Sequence, residues 1–315
     1  SVEPTDVSLK AAIDFARAGS FDAFVAVGGG PTIDTAKAMN LYSAVPTAEF
    51  LDFVNAPVGH GMPVPATAQL RPLIAIPTTA GTGSETTGVA IFDHTPLKAK
   101  TGIGNRLLRP ALGIVDPDNT ASMPASIAAS SGFDVLCHAL EAYTALPYHQ
   151  RTPRPSDPKL RPAYQGSNPI SDVWCVETLQ LIAANFVAAV KHDDPVAKEN
   201  MALAATYAGI GFGNAGVHLC HGLSYPISGL NKGYLHPGYE QAAKKLVPHG
   251  VSVAVPAPAV FRFTGPACPD RHLECARLLG ATVASGKAAA SGSYAGGLLA
   301  ERVTELMEEL GVPPS

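Results

Sequence analysis

Charge is scarce in this sequence. Acidic and basic residues make up 15% of its 315 positions, against roughly a quarter in typical soluble chains. Hydrophobic residues make up 46%, so a large buried volume, or the buried interface of a homo-oligomer, is needed to take them. The charges form no basic block and sum to −4. That argues against nucleic acid or an anionic membrane surface as a partner. Cysteine is sparse too: five residues, an odd count, with no C-x-x-C pair. A disulfide framework is excluded, and a reducing compartment fits. No run reads as long and apolar enough to cross a bilayer. The opening Ser1-Val2-Glu3-Pro4 reads as neither signal nor transit peptide. There is no internal repeat. The length suits one large or two ordinary domains.

What is present begins with a capped amphipathic helix over residues 8–18, with Leu9, Ile13 and Phe15 among its apolar positions. Residues 21–27 form a mostly apolar run that ends at glycine, as a buried parallel strand does. Gly28-Gly29-Gly30-Pro31-Thr32-Ile33-Asp34 then runs straight into a helix. A strand, a glycine turn and a helix start make an anion site, because the first free N–H groups of the helix point at it. The turn is not G-x-G-x-x-G, and alone it is a weak signal. A second strand at residues 73–76 ends in Pro77-Thr78-Thr79-Ala80-Gly81-Thr82-Gly83-Ser84-Glu85-Thr86-Thr87. Ligands of open α/β sheets sit beyond the carboxyl ends of strands, so the two loops are placed to flank one pyrophosphate. Strands near 88–92 and 111–115 are expected to continue the sheet.

Around residue 120 the character changes to long helical segments: 125–145, 169–190, 196–212, 215–229, 239–246, 249–262, 270–280 and 294–310. Between the first two, Pro147, Pro153, Pro155, Pro158 and Pro162 forbid a regular helix over 147–168. This segment carries Arg151, Arg154, Lys159 and Arg161. It reads as an exposed loop of solvated cations or as a lid that brings a cation to an anionic substrate. Residues 285–297, rich in Gly, Ser and Ala, read as a flexible connection.

The chemistry centres on Ser131-Gly132-Phe133-Asp134-Val135-Leu136-Cys137-His138-Ala139-Leu140-Glu141, read as a helix opening after Gly132. Asp134 and His138 are four residues apart, hence on one helix face. A carboxylate and an imidazole so placed can close on one divalent metal, and His221 and His249 are two later imidazoles able to complete the set. Three nitrogens and one oxygen suit Fe(II), Zn(II), Co(II) or Mn(II). An Asp-x3-His pair by itself is more often a helix charge and a core histidine. Cys137 and Cys220, each just before a histidine, read as ligands or, more simply, as buried packing.

Taken in order, the glycine turn with Asp34, the Pro77–Glu85 cluster, Asp134-x3-His138-x2-Glu141, His221-Gly222 and Pro248-His249-Gly250 resemble the iron-containing (group III) alcohol dehydrogenases. The likeness runs from about Glu3 to Ala281. Residues 49–57, 161–169 and 213–218 are similar to the branch of that family that passes hydride between a hydroxy acid and an oxo acid. The resemblance implies an incomplete Rossmann-like α/β domain over 1–121 and an all-α domain over 122–315, a dehydroquinate synthase-like architecture with the metal in the cleft between them. It implies Asp134, His138, His221 and His249 as ligands of Fe(II) or Zn(II). Gly28, Gly29, Gly30, Pro31 and Asp34, with Thr78, Thr79, Thr82 and Thr87, would hold a tightly bound NAD(H), and Lys100 would stand near its ribose. The implied reaction oxidises 4-hydroxybutyrate to succinate semialdehyde and reduces 2-oxoglutarate to 2-hydroxyglutarate in mitochondria. The partners are therefore small hydroxy and oxo carboxylic acids.

The sequence departs from the family pattern in four places. The half of the nucleotide domain expected before the glycine turn reads as missing, and the helical domain reads as truncated. Pro31 stands where a serine is usual; proline suits the first helical position but removes an N–H and a hydroxyl. Tyr225 stands four residues after His221, where a proton-relaying histidine is common, and a phenol titrates near 10. A catalytically inactive metal-binding or interaction subunit, and an ordinary NAD(P)-linked alcohol dehydrogenase, are the alternative readings.

Overall fold

A computed structural model describes residues 3–158, 161–240, 245–283 and 291–313. Lys159, residues 241–244 of the expected helix over 239–246, and residues 284–290 of the expected flexible connection lie outside the described residues. The first helix, α1 (Asp6–Ala18), starts two residues before its expected boundary. Thr5 Oγ1 accepts from the Ser8 amide at 3.1 Å, and the Ser8 hydroxyl accepts from the Thr5 amide at 2.8 Å. That reciprocal cap satisfies two otherwise orphaned donors. Leu9, Ile13 and Ala16 turn inward, whereas Phe15, expected among the apolar positions, is 64% exposed.

The strand β1 (Phe24–Gly28) leads into α2 (Gly30–Ala44), and β2 (Leu73–Pro77) follows. β1 and β2 pair in parallel, Phe24 beside Leu73 and Ala26 beside Ala75. Next come β3 (Val89–His94), β4 (Ala99–Gly104) and β5 (Leu112–Gly113). β5 extends the parallel sheet as expected, giving the order β1-β2-β5. β3 does not. It pairs antiparallel with β4, an unforeseen strand, in a separate hairpin. The reason lies in its free edge. The Ile91 amide donates to the Asp34 carboxylate at 2.9 Å and the Asp93 amide to the Pro4 carbonyl at 2.9 Å, so no ladder remains for the main sheet. β1 is also only half buried. Phe24, Ala26, Leu73 and Ala75 pack with Ile33 and Ala36 of α2, while Val25 and Val27 are 62% and 57% exposed on the other face. Among the described residues, helices cover one face of this sheet.

Among the described residues eight α-helices follow: α3 (Ala125–Thr144), α4 (Pro169–Lys191), α5 (Pro195–Ala215), α6 (Leu219–Gly229), α7 (His249–Ala254), α8 (Ala257–Thr264), α9 (Pro269–Leu278) and α10 (Gly292–Glu309). α3 is the axis of the main core and packs on α4, α5 and α7. It starts at Ala125, so Gly132 sits mid-helix and does not open it. Its role is steric. The ring of Phe186 from α4 occupies the space where a Cβ on Gly132 would project, and that ring meets Phe133 edge-on at 5.1 Å. The helix expected over 249–262 breaks at Val255-Pro256, where proline removes a helix donor. α4 corrects another expectation: with a mean hydropathy of 1.6 it is long and apolar enough to cross a bilayer by length and composition. Here it buries Cys175, Leu179, Ile182 and Phe186 in the main core with α3 and α5.

Candidate metal and cofactor site

The Asp134 and His138 side chains do share one face of α3, both buried. α6 brings His221 and α7 brings His249 to the same point. Three imidazole Nε2 atoms surround one carboxylate oxygen: Asp134 Oδ1 lies 3.3 Å from His221, 3.6 Å from His138 and 3.6 Å from His249. Ligand atoms of Asp134, His221 and His249 all lie within 4.8 Å of one another, and His138 falls outside that mutual set. His138 is instead stacked between Phe212, at 4.0 Å, and His221, at 4.6 Å. Asp134 Oδ1 and His221 Nε2 are buried and have no hydrogen-bond partner. Buried polar atoms are rarely left so, and a divalent cation would satisfy both. The donor set, one carboxylate and three imidazoles, suits such an ion.

Glu141, one turn beyond His138, explains how His221 is aimed. Its carboxylate is fully buried. Oε1 accepts from the His218 amide at 2.8 Å and the Cys220 amide at 2.9 Å, capping the start of α6. Oε2 is hydrogen-bonded to His221 Nδ1. Burial pushes the Glu141 carboxyl up, but His221, His218 and the amides outweigh it and hold the group below its ordinary value. It is therefore an ionised acceptor, so His221 Nδ1 donates and Nε2 is left to face Asp134.

The electrostatics follow from this packing. Burial raises the Asp134 carboxyl, but His138, His249 and His221 together hold it well below the usual range. Burial takes His138 down to about 3. For His221 burial also works against charge, yet Glu141 and Asp134 prevail and raise it to about 10, so without a metal the ring carries a proton on Nε2 toward Asp134, and a bound cation would displace that proton.

A cavity of about 120 Å³ opens beside the cluster. Of the residues expected to hold a nicotinamide cofactor, Gly30, Pro31, Asp34, Thr82, Thr87 and Lys100 line it, as does Tyr225. Gly28, Gly29, Thr78 and Thr79 do not. They meet at the ends of β1 and β2, where the Thr78 amide donates to the Gly28 carbonyl at 3.1 Å. The second loop reaches the cavity by close approach. Gly83 has φ +59°, and a Cβ there would lie 2.7 Å from Gly209 Cα in α5. Lys100 is held by Glu3 and, at 3.5 Å, by Asp93. Burial raises Tyr225, so it remains a protonated donor.

Lys37, to which the sequence reading gave no role, is fully buried beneath this wall. Its ammonium donates to Ser84 Oγ at 2.6 Å and the Val89 carbonyl at 2.7 Å, and lies 3.4 Å from Asp34 and Thr87. Ser84 Oγ in turn donates to Asp34 at 2.5 Å. Burial lowers the lysine despite the Asp34 charge. The signals available in sequence were spacings only: Lys37 three residues after Asp34, and Glu141 three after His138. Phe212 and Tyr164, which also line the cavity, had no signal. Arg151, Arg154 and Arg161 do not line it, so of the two readings of their segment, exposed loop or cation-bearing lid, the lid is not formed at this cavity. Their guanidiniums donate to carbonyls of their own segment.

Comparisons with known proteins give the family of the chain. The family described as iron-containing alcohol dehydrogenase matches residues 1–117, and the C-terminal part of the Fe-containing alcohol dehydrogenase family matches residues 163–315. The chain is 58% identical over 312 residues to the mitochondrial hydroxyacid-oxoacid transhydrogenase of Bos taurus, covering 99% of this chain and 66% of the relative. It thus spans about two thirds of the length of such relatives. Among solved structures, the iron-containing alcohol dehydrogenase of Thermococcus thioreducens superposes with a TM-score of 0.75 at 30% identity, covering 99% of this chain and 70% of that one. Sulfoacetaldehyde reductase of Bifidobacterium kashiwanohense, solved with NAD+, gives 0.74 at 25% identity, covering 100% and 70%.

Proposed function

The chain belongs to the iron-containing alcohol dehydrogenase family, and on that premise we propose that it is a metal- and nicotinamide-dependent hydroxyacid–oxoacid transhydrogenase acting in mitochondria. The observation that carries the reading is the convergence of Asp134, His138, His221 and His249, with Asp134 Oδ1 and His221 Nε2 unpartnered, on a cavity that the glycine turn and the threonine loop also line. Those four side chains would hold a divalent ion, Fe(II) or Zn(II). Gly30, Pro31, Asp34, Thr82 and Thr87 would hold the nicotinamide end of NAD(H). When bound, the ion supplies Lewis acidity toward a substrate oxygen and the nicotinamide supplies a hydride acceptor.

The rest falls to the chain's own residues. Glu141 fixes the His221 tautomer. Phe212 and Val217 line the cavity with apolar surface, which restricts water and strengthens the field of the ionised groups. Tyr225, kept protonated by burial and lining the cavity, would donate a hydrogen bond to the hydroxyl or carbonyl oxygen of the acid. Lys37 and Ser84 hold the Asp34 carboxylate in place at the cavity wall. The substrates proposed are 4-hydroxybutyrate as hydride donor and 2-oxoglutarate as acceptor, and the two half-reactions would alternate if the cofactor is retained.

The test is a paired assay on purified protein: 4-hydroxybutyrate with 2-oxoglutarate, with and without added NAD, alongside metal analysis. Succinate semialdehyde formed without added NAD, with about one metal ion per chain, is expected. Turnover that needs free NAD and no oxo acid would replace the reading with that of an ordinary dehydrogenase. Bound metal with no turnover would replace it with that of a metal-binding subunit.

A further inference from the structure

The proline-rich segment that forms no lid walls a second pocket of about 730 Å³. Arg151, Arg154 and Arg161 line it, with Tyr148, Tyr164 and Asn214. The guanidiniums are positioned but not neutralised. Arg151 donates to the Tyr164 carbonyl at 3.1 Å, Arg154 to the Arg151 and Tyr148 carbonyls at 3.2 and 2.9 Å, and Arg161 to the Pro155 carbonyl at 3.2 Å. Among the described residues none of the three has a carboxylate within ion-pair reach. Arg17, Arg106 and Arg109 also lack one, so what sets these three apart is that all of them line one pocket. Carbonyls fix part of each guanidinium and leave further N–H donors available, and a planar guanidinium presents such donors in the spacing of a carboxylate. Three like charges on one pocket repel each other until an anion enters, and a dianion answers them better than a monoanion.

The pocket is also tied to the metal cavity. Tyr164 lines both. The Gln165 and Gly166 amides donate to the Asn214 and Ala215 carbonyls at 2.6 and 2.9 Å, which binds the segment to the end of α5. Arg151 holds the Tyr164 carbonyl itself.

We infer that the arginine-walled pocket is a binding site for an aliphatic dicarboxylate, separate from the metal cavity and joined to it across Tyr164. The choice of a dicarboxylate among dianions rests on the proposed activity on hydroxy and oxo acids. In that reaction the site concentrates the dicarboxylic oxo acid beside the metal cavity, where hydride transfer takes place, and does not hold the monocarboxylic hydroxy acid.

The test is calorimetric titration of the purified chain with glutarate, which has both carboxylates but lacks the 2-oxo group that reacts and that chelates a metal together with the neighbouring carboxylate. Butyrate serves as the monocarboxylate control and ATP as the competing polyanion. Glutarate is expected to bind both metal-loaded and chelator-treated protein alike, and butyrate to bind at least tenfold more weakly. Arg161→Gln and Arg154→Gln are each expected to weaken glutarate about 10- to 100-fold, since each removes a charge-assisted donor pair. Arg161 is exposed and donates to one carbonyl, so Arg161→Gln keeps its melting temperature and remains informative if Arg154→Gln does not fold. Arg154→Lys, which keeps charge but not the fork, is expected to recover part of the loss. The inference is overturned if glutarate does not bind, if both glutamine variants bind it within twofold of the parent, if metal removal abolishes binding, or if ATP binds more tightly than glutarate. Arginine-dependent glutarate binding in a chain that shows no transhydrogenation would leave the pocket standing and remove the proposed reaction. Turnover without glutarate binding would do the reverse.

Discussion

Replacing Glu141 by glutamine separates the aiming of a metal ligand from the holding of the fold. The amide keeps the size of the carboxylate. Its carbonyl oxygen can stay in the place of Oε1 and go on accepting from the His218 and Cys220 amides, at 2.8 and 2.9 Å in the parent. Its NH2 then faces His221 Nδ1, where the parent presents Oε2. Two donors cannot face each other, so His221 must give up the Nδ1 proton and carry it on Nε2, the nitrogen directed at Asp134. A ligand in the wrong tautomer binds metal only after that proton is moved. Loss of such a carboxylate partner typically costs 10–100-fold in metal affinity, or about 1.4–2.8 kcal/mol. The assay is a chelator-competition titration of Zn(II) or Co(II) on parent and Glu141→Gln, with a thermal melt of each metal-free protein. The expected result is weaker metal binding and a melting temperature close to that of the parent. Unchanged metal affinity at unchanged stability would refute the assignment of Glu141 as the residue that orients His221. A large loss of metal-free stability would make its capping of α6 the dominant role.

Further outcomes follow from the same contacts. His221→Ala removes the ligand that this carboxylate aims, and metal content measured by elemental analysis is expected to fall to near background; full occupancy would break the ligand assignment. Lys37→Met leaves the Asp34 carboxylate without its buried cation and is expected to destabilise by about 3–5 kcal/mol. A denaturation cycle with Asp34→Asn should show a coupling of about 1–3 kcal/mol, and strict additivity would exclude the pair. Gly132→Ala drives a methyl into the Phe186 ring and is expected to cost about 1–3 kcal/mol or more, read as a lowered denaturation midpoint. His272 is buried, with Nε2 2.8 Å from Thr264 Oγ1, and burial pushes its pKa below the ordinary 6.5. The unfolded chain therefore binds the proton first. Its contribution to stability is complete above about pH 6.5 and declines as pH falls from there toward the folded value, by at most about 1.4 kcal/mol per pH unit. Against His272→Gln, the parent should lose stability more steeply between about pH 6.5 and 5; parallel curves would show that His272 is not held neutral.

The sequence alone determined whatever depends on local spacing. Asp134 and His138 share a face because a helix repeats every 3.6 residues. The glycine turn after β1 and the threonine loop after β2 were legible because a strand, a glycine and a helix start follow one another in the chain. The prolines of 147–168 excluded a helix, and those near 256 marked a break that the reading passed over. Tertiary structure decided which distant groups meet. Nothing in the local sequence says that Glu141 reaches the first amides of α6, or that the Lys37 ammonium closes on Ser84 and Val89 some fifty residues on. Residues 88–92 looked like a further strand of the main sheet. The Asp34 side chain takes the Ile91 amide and leaves β3 to pair with β4, a competition between a side chain and a ladder that a strand pattern does not record. The arginines show the same limit. Sequence supplied their number and charge, but only the folded chain set their guanidiniums on carbonyls of their own segment and turned them to a pocket beside the metal cavity, because those contacts depend on where the chain returns in space.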